Sequence, residues 1–292
     1  SSALELGLMY QWNKIDFSLS EPKIIREYLD KGVGFLNNKV SPMLSFGGFR
    51  TSFSGVYCHQ TPMISRIDDP KCSKSTSCEL GDLLLIFRFS DRRDFSIINR
   101  AILVQSKKNT NIKNECQKCL YDSDKRFEWD ASKEFIQNLL KKSRTRELPT
   151  HQFLKRSKAL KYLILDEKQV IPCPFFVNSP LIKNVIIPFN LSMCLFLLGL
   201  DGLGFSRKPK TSGNWSTIVW ELLMNTATYT TDYGYKRGKH IPKGLSFLTK
   251  YIKNITDDHL YKNNEKFIDN IWGISTLVIS VRDKELDFEE ET

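Results

Sequence analysis

From Glu79 to Lys108 the chain reads ELGDLLLIFRFSDRRDFSIINRAILVQSKK, two apolar runs around a charged turn. The run from Leu83 to Phe89 is broken only by Arg88, and the run from Ile97 to Gln105 is similar. Runs of this length and composition suit strands buried on both faces. A sheet buried on both faces needs a layer of structure on each side, which points to a mixed α/β (α+β) architecture. Paired antiparallel, the two runs form a hairpin around SDRRD.

Side chains alternate along a strand, so Gln105 and Lys107 share a face with Ala101 and Leu103 beneath them. With the turn centred near Arg92 and Arg93, Asp82 falls opposite a residue between Leu103 and Gln105. Asp82, Gln105 and Lys107 then converge on one small volume. A carboxylate there suits a hard cation such as Mg²⁺ or Mn²⁺, and the Gln105 amide oxygen adds a neutral ligand. A cation so held polarises a phosphodiester and lowers the pKa of a bound water. Lys107 is placed to orient that water or to offset charge on the phosphate. Glu79 is a candidate second carboxylate, and Glu27 on an early helix is a weaker one.

The neighbouring sequence supplies the other layers. SEPKIIREYLDKG predicts a helix capped by Ser20 or Glu21, with Pro22 in its first turn and its end at Gly32. Residues 41–77, rich in Gly, Ser, Thr and Pro, predict short strands and loops. WDASKEFIQNLLKKSR predicts a helix capped by Asp130, and ALKYLILDEKQVIPC a further strand. Later candidates are helices near 214–226 and 243–255 and a last strand from Gly273 to Val281. No clean linker appears. The expected organisation is a core over residues 1–177 and a mixed helical and strand extension over 178–292, packed on it.

This arrangement, with Asp82 about twenty residues before Gln105-x-Lys107, resembles the PD-(D/E)XK restriction-endonuclease-like nucleases. Their core is helix, three strands, helix, strand, and the likeness spans Glu21 to about Cys173. It implies a Mg²⁺- or Mn²⁺-dependent nuclease with metal held by Asp82, Gln105, Glu79 and the Ser106 carbonyl, and with Lys107 assisting the attacking water. Two positions depart from the family pattern. Gly81 stands where proline is usual, and Gln105 stands where an acid is usual. Glutamine variants occur among effector nucleases of bacterial antiviral systems, which the site resembles, and among members that have lost activity. A DNA endonuclease of antiviral defence is the expectation. The alternative is an inactive nuclease-fold subunit that binds nucleic acid or a partner protein.

Charge agrees with a nucleic-acid partner, DNA above all. The net charge is +10, and the last twelve residues hold six acids against two bases, so the rest carries +14. Such a body suits polyphosphates, whose binding is driven by counterion release. Between Lys141 and Lys161 eight bases, Lys141, Lys142, Arg144, Arg146, Lys155, Arg156, Lys158 and Lys161, face one acid, Glu147. That run is either a solvated face or a rail for a phosphate backbone. Lys108, Lys141, Lys142, Arg144, Lys155 and Arg156 are the candidate nucleic-acid contacts. A protein partner or a second copy would use residues 178–292.

Several classes are set aside. The longest stretch without formal charge, 184–200, holds Pro188, Asn190 and Ser192 and reads as core rather than a membrane span. No secretory leader is seen at the first residues, and seven cysteines fit a reduced cytoplasmic compartment. Cys58, His59, Cys72, Cys78, Cys116 and Cys119 leave a zinc module open, though only CQKC has the expected spacing. DGLGFSRKPKTSGNW lacks the GK[ST] end of a P-loop. The four histidines show no metal-ligand spacing.

Overall fold

Strands apolar on both faces are covered on both faces in the computed structural model. It describes residues 2–45, 49–58, 62–67, 77–90, 96–122, 126–130, 140–141, 143–149, 157–166, 174–179, 186–209, 214–236 and 274–283. The helices are α1 (Ser2–Tyr10), α2 (Glu21–Glu27), α3 (Val33–Phe35), α4 (Ser41–Ser45), α5 (Glu115–Asp122), α6 (Phe189–Leu197) and α7 (Asn214–Lys236). The strands are β1 (Phe49–Val56), β2 (Met63–Arg66), β3 (Ser77–Glu79), β4 (Leu83–Ser90), β5 (Ser96–Lys107), β6 (Arg126–Trp129), β7 (Thr145–Glu147), β8 (Ser157–Ile164), β9 (Phe175–Ser179), β10 (Ile186–Pro188), β11 (Leu203–Gly204) and β12 (Ser275–Asp283).

The larger sheet runs β1-β12-β4-β5-β8-β9-β10, with β11 also pairing β5. β4 and β5 are antiparallel, β8 is parallel to β5, and β12 is parallel to β4. A smaller antiparallel sheet runs β3-β2-β6-β7. This is the mixed α/β architecture expected.

Alternation along β4 and β5 sorts the core into two. Leu84, Ile86, Ala101 and Leu103 pack with Leu120 and Tyr121 of α5, Trp129 of the smaller sheet and Ile218 of α7. Leu83, Leu85, Phe87, Ile102 and Val104 pack with Trp12, Ile24, Tyr28, Phe189 and Phe196. On that second face Trp12 stacks on Tyr28 at 4.3 Å, and Phe189 meets Trp12 edge-on at 5.0 Å.

Several expectations are revised. The early helix starts at Glu21 after an extended Ser20, but it does not stop at Gly32. Helical backbone continues through wide π-type turns, Tyr28–Gly32 and Leu36–Val40, to Ser45. Gly32 serves packing, since a Cβ there would lie 3.1 Å from the Tyr28 ring. The helix expected from Trp129 to Arg144 has strand at its near end, because Trp129 closes β6 and its amide donates to the Arg144 carbonyl at 3.2 Å. Residues 131–139 of that stretch, residues 91–94 of the SDRRD turn and the helix expected near 243–255 lie outside the described residues. The helix expected near 214–226 runs on to Lys236, and the last strand is β12. Among the described residues no helix is long and apolar enough to cross a membrane.

Candidate active site

Hairpin register builds the site. Leu83 pairs with Val104, so Asp82 comes level with Gln105, and the Asp82 amide donates to the Val104 carbonyl at 2.9 Å. The approach to Asp82 is tight. A Cβ on Gly81 would lie 2.8 Å from Leu103 Cδ1 and 3.0 Å from the Tyr121 hydroxyl, which is why glycine occupies the position. That hydroxyl donates to the Leu80 carbonyl at 2.9 Å and fixes the turn from the α5 side.

Three donors converge on one oxygen of Asp82. Gln105 Nε2 at 2.5 Å, the Ser106 amide at 2.7 Å and Ser106 Oγ at 2.7 Å all donate to Oδ2. Oδ1 is left without a hydrogen-bond donor among the described residues. Burial pushes the carboxyl up to about 6, and nearby Glu79 adds to the rise. Lys107 and the Ser106 hydrogen bonds oppose it. Gln105 is fully buried, and its Oε1 has no hydrogen-bond partner. A buried amide oxygen without a donor is costly to maintain, which makes it a natural seat for a cation or an ordered water.

The strand end is held from α2. Glu21 Oε2 lies 3.8 Å from Lys107 Nζ, and Glu21 Oε1 accepts the Lys108 amide at 2.7 Å. Lys107 is 16% exposed, enough to reach a water at the surface. Lys108 is not a free cation here, since its ammonium donates to the Phe17 carbonyl. Glu79 is exposed at the end of β3. Glu27 is engaged elsewhere, pairing with Lys31 at 2.9 Å and accepting the Asp16 amide at 3.2 Å. Sequence reading missed Glu21 and Tyr121, because no spacing rule ties residues 21 or 121 to this turn.

Among the described residues, no three His, Cys, Asp or Glu side chains form a group that could hold a metal ion. A cation at this site would therefore rest on Asp82 Oδ1, Gln105 Oε1 and backbone oxygen or water. Asp82 Oδ1 and Gln105 Oε1 fit such an ion in kind, both being hard donors.

The basic run divides. Arg146 is buried against Glu221, donating from Nε at 2.8 Å and from NH2 at 2.5 Å. Lys161, 2% exposed, pairs with Asp201, donates to Ser192 Oγ at 3.0 Å and lies 5.4 Å from the Phe176 ring centre. Neither belongs to a solvated face or rail. Lys141, 3.4 Å from Asn214 Oδ1, and Arg144 are partly exposed. Lys142, Lys155 and Arg156 lie outside the described residues.

Cys58, Cys78, Cys116 and Cys194 are not joined in disulfides, and Cys119 is disulfide-bonded. His59 and Cys72 lie outside the described residues. Compared with family models, curated proteins and solved structures, the chain finds no match in any of the three.

Proposed function

We propose that the chain is a metal-dependent nuclease of the PD-(D/E)XK kind, in its glutamine variant, hydrolysing phosphodiester bonds of DNA. The observation that carries this reading is the buried Gln105 Oε1, which has no hydrogen-bond partner among the described residues, held against the Asp82 carboxylate and beside a lysine at a strand end. Chain order in the larger sheet supports it. Helix, β1, β4, β5, α5 and β8 follow the order the resemblance implies, with β12 inserted between β1 and β4. A role in defence against invading DNA follows from the resemblance alone.

Asp82 and Gln105 would hold Mg²⁺ or Mn²⁺, which when bound supplies Lewis-acid polarisation of the phosphate and an acidified water. The protein's own contribution is orientation. Three hydrogen bonds fix Oδ2, so the Asp82 carboxylate has one direction in which to present Oδ1. Glu21 sets where the Lys107 ammonium sits, close to the strand end that carries Gln105. From there Lys107 orients a water for in-line attack on phosphorus and offsets negative charge on the non-bridging oxygens as the P–O bond to the leaving group breaks.

A second reading has its own observation. The Gln105 amide nitrogen is committed to Asp82, and no group of three acids surrounds the site among the described residues. That favours a nuclease-fold subunit that binds without cutting. Supercoiled plasmid incubated with Mg²⁺ or Mn²⁺, with and without EDTA, separates the two. The nuclease reading expects nicking that EDTA abolishes, and a loss on the order of 10²–10³ in rate for Lys107→Ala with plasmid affinity retained. Cleavage that survives both Lys107→Ala and Asp82→Ala puts the active site elsewhere. Plasmid binding with no cleavage in either metal selects the subunit.

A further inference from the structure

Two helices on the Trp12 side of the larger sheet are apolar on their outer faces as well as their inner ones. α1 reads SALELGLMY, α6 reads FNLSMCLFL, and the two pack against each other. Inward, Leu8, Phe189, Met193 and Phe196 are buried in the core that holds Trp12. Outward, Ala3, Leu6 and Tyr10 fall on one exposed line of α1. Leu191, the partly exposed Leu195 and Leu198 do the same on α6. A helix apolar all round is normally covered all round. Glu5 is the one charged residue in these two helices, although the chain is 26% charged. Burial raises the Cys194 thiol and Glu5 adds to the rise, so the outer faces of α6 and α1 adjoin.

The end of α6 extends the apolar line. Gly199, at φ +67°, donates its amide to the Phe196 carbonyl at 2.9 Å, and the Leu200 amide donates to the Leu195 carbonyl at 2.8 Å. This closing turn folds Leu200 back toward Leu195, a placement that usually buries the two together. Here Leu198 and Leu200 stay 69% and 61% exposed, and Leu6, Tyr10 and Leu191 stay 51%, 56% and 44% exposed. These five side chains leave on the order of 500 Å² open, the size at which an apolar patch usually has a role.

We propose that this face joins two copies of the chain about a two-fold axis, α1 and α6 of one copy against α1 and α6 of the other. Pairing like with like puts roughly 1,000 Å² of apolar surface out of water before any rim is counted, about what a specific interface must reach. Charge selects a second copy as the occupant. The chain carries +10, so two copies repel wherever bases face bases. On α1 and α6 no base is present. An anionic membrane surface is held by Lys and Arg beside the apolar side chains, and nucleic acid by bases along its backbone. These helices supply neither. Pairing here is independent of any nuclease activity.

Sedimentation velocity of the full chain, freed of nucleic acid, from about 1 to about 100 µM reads the association. The expected result is a reversible dimer that tightens several-fold as salt rises from about 50 to about 500 mM, because screening relieves repulsion between the basic bodies and leaves apolar contact in place. Leu198→Lys and Leu200→Lys, at exposed positions, should each keep a cooperative melt and weaken the dimer about tenfold or more. Ile67→Lys, an exposed position after β2 in the smaller sheet, should leave it unchanged. Cys194 gives a second reading on the unsubstituted chain. Trypsin cuts after Lys183 and Arg207, so peptide 184–207 carries Cys194 and no other cysteine. Its alkylation should slow several-fold as the dimer forms, and should not change with concentration in Leu198→Lys. A monomer at every concentration overturns the proposal. So does a dimer that both leucine substitutions leave intact, or one that forms without slowing alkylation of Cys194. A dimer that weakens as salt rises is held by ion pairs or a bridging polyanion, and overturns it too. A monomer that floats with phosphatidylcholine–phosphatidylserine vesicles, and stops floating on Leu198→Lys, gives the face to a membrane instead.

Discussion

At the scale of single residues the site is a carboxylate under three donors, and that fixes its response to pH. Asp82 is held at about 6 when folded, against 3.8 when exposed. The folded chain therefore keeps this proton where the unfolded chain has lost it. Stability falls as pH rises from about 4 to about 6 and is level above that, with about 3 kcal/mol at stake. Asp82→Asn should flatten this slope. The check is urea unfolding of both proteins at pH 4.5 and pH 7, and equal slopes would remove the buried-acid account. Bound metal should likewise be lost as pH falls below about 6, because the proton competes for the same carboxylate. Gln105→Glu brings a second carboxylate against Oδ2, where an amide nitrogen now sits at 2.5 Å. Without metal the two acids must share a proton or repel. The variant should melt lower at pH 8 than at pH 5.5, and Mn²⁺ should raise its Tm more than that of the parent. A Tm indifferent to Mn²⁺ would exclude Gln105 as a ligand position. The pairing of Asp82 with Gln105 was legible in the sequence, because a strand has period 2 and the hairpin leaves little freedom of register. Glu21 was not legible, since it meets Lys108 across 87 residues.

Elements differ in how far local sequence decides them. The run from Leu83 to Phe89 has only one plausible state, a strand covered on both faces, and β4 is that strand. The stretch from Trp129 onward has the apolar spacing of a helix, yet Trp129 is drawn into a sheet by pairing with Ile64 of β2. Such long-range pairing overrides propensity and leaves no local mark. Two members of the charged run depart from a solvated face or rail for a related reason. A strongly basic string reads as solvated, but Arg146 and Lys161 each find an acid from the C-terminal half, Glu221 and Asp201. Glu221 also accepts from Trp129 Nε1 at 3.0 Å and from the Leu140 amide at 2.9 Å, so it joins the smaller sheet to α7. Glu221→Gln should cost about 3–5 kcal/mol, because it leaves the buried Arg146 without its counter-charge. Lys141→Ala, at a partly exposed position, should stay within about 0.5 kcal/mol. Both are read from urea midpoints, and a mild Glu221→Gln would mean that Arg146 has found water or another acceptor.

For the whole molecule the decisive element is β12, which lies between β1 and β4 along its length. Its residues enter both cores, Val278 one and Leu277 and Ile279 the other. A chain ending at residue 273 should therefore lose cooperative unfolding by circular dichroism, although the resemblance to a nuclease core stops near Cys173. A cooperative melt of that truncated chain would show that β1 and β4 close without β12. The order of synthesis gives this strand a further meaning. At about 5–20 residues per second, β12 leaves the ribosome on the order of ten seconds or more after β5. During that interval the β4 edge has no partner beside Leu83, the neighbour of Asp82. The site can take its final form only once residues 275–283 have emerged. On the proposed function, a chain that cuts nucleic acid would stay idle until that stretch has been made.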